Sequence, residues 1–168
     1  VDIGMPTLVP ALLSASALDG GTRDRLRLAL DRKDAAAVAA LGPALGAAHG
    51  GRLADILGAM LASTGPAAGT LAALAKLDLP PPAASERAAL GEVVRRVAEG
   101  LAGIGADGVS LTVDPVENRG FEYHTGANFT YFAGGVRGEL GSGGRYRAGN
   151  GSAEAEPATG LTFFTDTL

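Results

Sequence analysis

All of the Phe and Tyr in this 168-residue chain, five of one and three of the other, lie beyond position 120, and Trp is absent. They are Phe121, Tyr123, Phe129, Tyr131, Phe132, Tyr146, Phe163 and Phe164. Large side chains of this kind favour pleated, half-buried surfaces, whereas Ala and Leu favour helix. A chain divided this way is expected to form helices first and strands last. That pattern predicts an α+β fold, an antiparallel β-sheet flanked by helices, and not a doubly wound parallel sheet. It also predicts that the core of the sheet is C-terminal and aromatic. Apolar residues are 46% of the chain but aromatics only 5%, so the side chains elsewhere in the core are small.

Val1 to Gly4 reads as the end of a strand. From Met5 to about Ala17, Leu8, Val9, Leu12 and Leu13 recur at helical spacing. Thr22 is positioned to cap a helix carrying Leu26, Leu28 and Leu30, and Asp34 to cap one running to Ala48 with an interruption near Gly42-Pro43. Arg52 to Leu61 predicts a further helix with Leu53, Ile56, Leu57, Met60 and Leu61 inside, and Ala67 to Leu77 a turn or two more. Leu79-Pro80-Pro81-Pro82 reads as a stiff extended connector. It divides the chain into a helical segment, 1–82, and a sheet-forming part, 83–168. The first is either part of the same domain or an insertion in it. Ser85 is then expected to cap the longest helix, whose stripe of Leu90, Val93, Val94, Val97, Leu101 and Ile104 would pack on the sheet. Strands follow at Val109 to Val113, from Arg119 onward, and from Gly160 to Thr165.

The densest run of groups able to hold a small polar ligand is Arg119-Gly120-Phe121-Glu122-Tyr123-His124-Thr125-Gly126. In a strand, Gly120, Glu122, His124 and Gly126 would share one face and Arg119, Phe121, Tyr123 and Thr125 the other. Phe129 to Ala133 followed by Gly134-Gly135 predicts a two-residue hairpin turn. That register sets Tyr131 against Gly138, His124 against Arg145 and Glu122 against Arg147, with Gly141-Ser142-Gly143-Gly144 expected to add a bulge. His49, in a Gly-rich loop, is read as solvated and without a role.

The formal net charge of −4 argues against a nucleic-acid or membrane surface, since both require concentrated positive charge. Without Cys there is no disulfide framework or thiolate metal site. No apolar run approaches the roughly 18 residues of a membrane span, and the N-terminus lacks the pattern of an export signal, so a reducing cytoplasm is expected.

Three motifs in order, Arg119-Gly-Phe-Glu-Tyr-His-Thr-Gly126, Gly143-Gly-Arg-Tyr146 and Pro157-Ala-Thr-Gly160-Leu, resemble the histidyl-tRNA synthetase family of class II synthetases. Within that family the arrangement is most similar to ATP phosphoribosyltransferase regulatory subunits, synthetase-like paralogues serving the first step of histidine biosynthesis. The resemblance implies a class II synthetase-like fold and a histidine site formed by Arg119, Glu122, Tyr123, His124, Thr125, Gly143, Gly144, Arg145 and Tyr146. His124 stands where synthetases carry Tyr.

The departures favour the regulatory paralogue. The family's third motif ends in an Arg that holds ATP phosphates, and here that position is Thr167. Phe164 replaces the Gly that leaves room beside the adenine. No ATP chemistry, cofactor or metal is therefore implied, and the role expected is regulatory and not catalytic. The implied partners are histidine, the catalytic ATP phosphoribosyltransferase subunit, and a second copy joined through the family's first two motifs, which this sequence does not contain. The sequence also ends without the family's anticodon-binding domain. Two other readings stay open on the residues: a catalytic fragment of a histidyl-tRNA synthetase, and a free-standing amino-acid-binding or interaction module.

Overall fold

A computed structural model describes residues 1–14, 16, 18–46, 52–117, 123–149 and 155–165. A short strand, β1 (Asp2–Gly4), precedes the helices α1 (Leu8–Leu13), α2 (Gly20–Asp31), α3 (Ala35–Ala40), α4 (Gly42–Leu45) and α5 (Leu53–Ser63). Next come β2 (Gly65–Pro66), α6 (Ala67–Leu74) and the long α7 (Pro81–Gly103). The chain then forms β3 (Thr112–Asp114), β4 (His124–Tyr131), β5 (Gly141–Ala148) and β6 (Glu156–Phe163). The six strands make one sheet in the order β2-β3-β1-β4-β5-β6. Helices do precede most strands, but the sheet is mixed, because β1 pairs with β3 in parallel and with β4 antiparallel. β1 thus inserts between strands that follow it by more than a hundred residues, which no local pattern announces.

The helix starts obey simple chemistry. Asp19, and not Thr22, caps α2: its carboxylate accepts the Thr22 amide at 2.9 Å and the Thr22 hydroxyl at 2.7 Å. Asp34 caps α3 as expected, accepting from the Ala37 amide at 2.9 Å, and α4 begins at the expected Gly42-Pro43 interruption. Leu26 and Leu30 of α2 are buried, whereas Leu28 is exposed. The prolines do not form a connector. Pro80 is the N-cap of α7, and Pro81 and Pro82 occupy its first turn, where the missing N–H groups have no intrahelical partner to lose. Ser85 therefore lies inside the helix and is not its cap.

Of the stripe on α7, Leu90 and Val94 are buried, Val93 and Val97 pack partly against the core, and Ile104, at the C-cap, is 79% exposed. The helix approaches α1 most closely, with a smaller contact to α6; its Leu90 and Val94 share the core with Ile3 and Val113 of the sheet, and its Leu101 borders a cleft with Tyr131 and Phe163. Arg87 fastens it further, donating to the carbonyls of Leu74 and Leu77 at 2.9 Å each.

The core is aliphatic. Ile3, Leu8, Leu12, Leu26, Leu30, Leu53, Leu57, Met60, Leu74 and Leu90 are its large buried members, and residues on both sides of position 82 share it. No Phe or Tyr is buried among the described residues, contrary to the expectation of an aromatic sheet core. Phe132 and Phe163 are more than half exposed. Among the described residues, no helix is long and apolar enough to cross a membrane.

The hairpin differs from its expected form. The Val136 amide does bond the Ala133 carbonyl, with Gly135 at φ 81°, but the ladder closes only at Tyr131 against Gly141. The whole stretch 132–140 is connection, so the Gly134-Gly135 turn sits at its tip and sets no strand register. Tyr131 consequently does not face Gly138. The irregularity also lies in β4, between His124 and Asn128, and not in the glycines of β5.

Candidate ligand-binding site

The register from Asn128 to Tyr131 is three residues away from the expected one, and an odd slip exchanges the faces of a strand. Asn128 faces Gly144, Thr130 faces Ser142, and past the irregularity His124 faces Tyr146 and not Arg145. On β6, Gly160 faces Gly144, Thr162 faces Ser142 and Ala158 faces Tyr146. His124, Asn128, Thr130, Ser142, Tyr146 and Thr162 therefore share one side of the sheet and border an open cavity of about 420 Å³.

Glycines seat the rings of this cavity. A Cβ at Gly144 would lie 2.6 Å from His124 Cδ2 and 2.8 Å from its Nε2, and one at Gly160 would lie 3.1 Å from the Tyr146 hydroxyl. The imidazole and the phenol thus fold over backbone that only glycine leaves bare. Tyr123 precedes β4, so strand alternation does not reach it. It comes round to stack on Tyr146, with centroids 4.9 Å apart, and meets His124 edge-on at 5.2 Å. Tyr123 remains 56% exposed, but partial desolvation against its neighbours, and then the adjacent Tyr146 hydroxyl, push its pKa up. Among the described residues, His124 Nδ1 is buried and has no hydrogen-bond partner.

The expected site residues therefore divide into three groups. Tyr123, His124, Gly143, Gly144 and Tyr146 all line the cavity. Thr125 and Arg145 are exposed and absent from its lining, and the Arg145 stem covers Gly126. Arg119 and Glu122, with the expected Glu122–Arg147 pair, lie outside the described residues, as do His49 and Thr167. Arg147 itself donates to the Ala155 carbonyl. Gly143 also serves the far side of the sheet, where a Cβ would strike the Phe129 ring at 2.7 Å. Phe164 carries its backbone to the connection before β5, its amide donating to the Leu140 carbonyl at 2.9 Å. Sequence reasoning did not select Asn128, Thr130, Glu139, Ser142 and Thr162, which also line the cavity. The available signal was the alternation of Asn128 and Thr130 with Phe129 and Tyr131. Among the described residues, no cluster of three or more His, Cys, Asp or Glu could hold a metal ion.

A mixed sheet flanked by helices, with a glycine-floored cavity on β4, β5 and β6, is the class II synthetase-like fold. A solved ATP phosphoribosyl transferase complex from Thermotoga maritima contains a chain that matches 97% of this one, at TM-score 0.68 and 20% identity, over 52% of its own length. A structure titled as an ATP phosphoribosyltransferase regulatory subunit/histidyl-tRNA synthetase from Bacillus halodurans matches 87% of this chain. Its TM-score is 0.62 and its identity 25%, over 36% of that chain. The histidyl-tRNA synthetase family model matches residues 1–168, and the chain belongs to that family. Among curated relatives, a protein of Paramagnetospirillum magneticum named ATP phosphoribosyltransferase regulatory subunit is 53% identical over 167 residues. That match takes in 99% of this chain and 40% of the relative, so the chain spans about two fifths of the length of such relatives.

Proposed function

We propose that this chain is the synthetase-like part of a non-catalytic regulatory subunit of ATP phosphoribosyltransferase, and that its cavity binds histidine for feedback control. The observation that carries the regulatory role is the 53% identity to a relative of that name over nearly the whole chain. The cavity supports the ligand. His124 and Tyr146, paired across β4 and β5, offer hydrogen bonds to an imidazole edge, and Tyr123 closes the stack behind them. Glu122 accepts from the α-ammonium and Arg119 pairs with the α-carboxylate, as the family resemblance implies. Arg145 faces away from the cavity and is assigned no part in this binding.

The protein acts in the cytoplasm beside the catalytic subunit and associates with itself through the part of the family fold that precedes these motifs. Phe164 and Thr167 speak against the alternative of ATP-dependent histidine activation.

The decisive experiment is calorimetric titration of histidine into the full-length protein, with and without the catalytic subunit, together with a pull-down between the two. Binding that differs between the two titrations is expected. Absence of histidine binding in both would remove the ligand assignment, and failure to capture the catalytic subunit would remove the partner. Histidine-dependent ATP–pyrophosphate exchange is expected to be absent, and its detection would restore the synthetase reading. Glu122→Gln should weaken histidine binding by about one to two orders of magnitude with an unchanged thermal melt, because one charge-assisted hydrogen bond is lost. A lower melt with unchanged affinity would instead make Glu122 a structural partner of its own sheet.

A further inference from the structure

Helix α2 ends in a Schellman turn, in which the Asp34 amide donates to the Ala29 carbonyl at 2.9 Å and the Lys33 amide to the Leu30 carbonyl at 3.0 Å. The left-handed position of such a turn usually holds Gly, which has no side chain to clash. Here it holds Lys33, at φ 54°, and among the described residues no other residue except glycine has a positive φ. A lysine kept where glycine fits freely points to a task for its ammonium. That ammonium is half-exposed and pairs with Oδ2 of the buried Asp114 at 2.5 Å.

Two paths lead from Asp114 toward the cavity. Along the chain, Asp114 Oδ1 accepts the Val116 amide at 3.1 Å and its carbonyl accepts the Glu117 amide at 3.3 Å. These bonds turn the chain out of β3 and set Glu117 in a buried position. The Thr64 hydroxyl adds a longer bond to the same Oδ1, at 3.5 Å. Across the sheet, Asp114, Gly4, Asn128, Gly144 and Gly160 are successive partners on β3, β1, β4, β5 and β6. One row thus joins Asp114 to the glycines beneath His124 and Tyr146. The two paths meet over Gly4, where an added Cβ would strike the Asn128 side chain and lie 2.8 Å from both Cβ and Cγ of Glu117. Glu117 therefore packs beside the side chain of Asn128, which lines the cavity.

We propose that Asp114, held by Lys33, is a positioning residue for this cavity, and that through Glu117 it fixes the Asn128 amide against the ligand. Neither Lys33 nor Asp114 is among the described lining residues, so both act through others. The inference rests on reading the cavity as a histidine site and deepens that reading. Its test uses the full-length protein, the variants Lys33→Gly and Asn128→Ala, and the two combined. Asp78→Asn, which breaks the exposed ion pair with Arg52, serves as the control. Glycine keeps the left-handed turn while removing the ammonium, so α2 retains its end.

In calorimetry, Lys33→Gly should weaken histidine binding by about three- to tenfold, the loss expected when one neutral hydrogen bond is misplaced. Asn128→Ala should lose as much, the double variant no more than either alone, and Asp78→Asn nothing. Parental affinity in Lys33→Gly, whatever its melting temperature, would overturn the proposal, as would losses that add in the double variant. Hydrogen–deuterium exchange reads the same arrangement without ligand: the segment from Tyr123 to Thr130 should exchange faster in Lys33→Gly and at the parental rate in Asp78→Asn. Should the parent fail to bind histidine, the ligand assignment falls and exchange alone decides, parental rates in Lys33→Gly removing the positioning role. Should Lys33→Gly fail to fold, Lys33→Met, which keeps the length and loses the charge, must give the same losses.

Discussion

One added carbon at residue 144 would collide with His124 on one side and the Ala127 carbonyl, 2.9 Å away, on the other. Backbone cannot yield as a side chain can, so Gly144→Ala should cost about 1–3 kcal/mol and turn the imidazole out of the cavity. A thermal melt beside a histidine titration checks both, and a variant with parental stability and affinity would show that Gly144 is no seat for His124. Gly4 is equally confined, with Asn128 Oδ1 at 2.3 Å and Glu117 Cβ at 2.8 Å from where its Cβ would be. Gly4→Ala should therefore destabilise by a similar amount. The glycines of the Gly143 to Tyr146 motif were visible in the sequence, but their purpose was not. Spacing shows that something approaches the backbone, and cannot distinguish a ligand from the protein's own ring. Thr130, Ser142 and Thr162 escaped notice because the expected register put β5 on the wrong face.

Helix ends were more legible than strand pairings, because a cap is chosen by residues within one turn of it. Asp34→Ala should cost about 1 kcal/mol in a denaturant melt, the usual loss when a capping carboxylate is removed. Asp19 adds a pH signature. Hydrogen bonds from the Thr22 hydroxyl and amide hold its carboxyl below the usual range. A lowered folded pKa stabilises fully above the unfolded value of about 3.9 and fades as pH falls through the folded one. The melting-temperature gap between the parent and Asp19→Ala should thus be full at pH 7 and close in stronger acid. A gap independent of pH would mean that the carboxylate contributes only as a shape. The end of α2 was beyond sequence reading: Lys33 takes φ 54° there, and its ammonium reaches Asp114 of β3 at 2.5 Å. A left-handed lysine is uncommon, and this one was selected by a carboxylate distant in the chain. The prolines before α7 were misjudged for the opposite reason, since composition alone does not say whether a Pro ends an extended run or begins a helix.

At the scale of the molecule, aliphatic burial is concentrated around the helices, β1 and β3, while β4 to β6 keep many residues half or fully exposed. Local opening follows such differences in burial, so amides of β5 and β6 should exchange with deuterium well before those of α5 and of α7 around Leu90. Equal protection would mean that the sheet and the helices open as one unit. The order of helices and strands was legible because local composition sets it. The mixed sheet was not, since its central strand is three residues with no strong pattern of their own. That strand has a kinetic consequence. The side chain of Thr112 donates to Asp2 across 110 residues of chain, and β1 is hydrogen-bonded on both flanks to strands made much later. At about 5–20 residues per second of synthesis, β1 waits on the order of ten seconds before either of its neighbours exists. Its folding is gated by translation, and during that interval Ile3 is an apolar side chain without a core, a natural client for a chaperone.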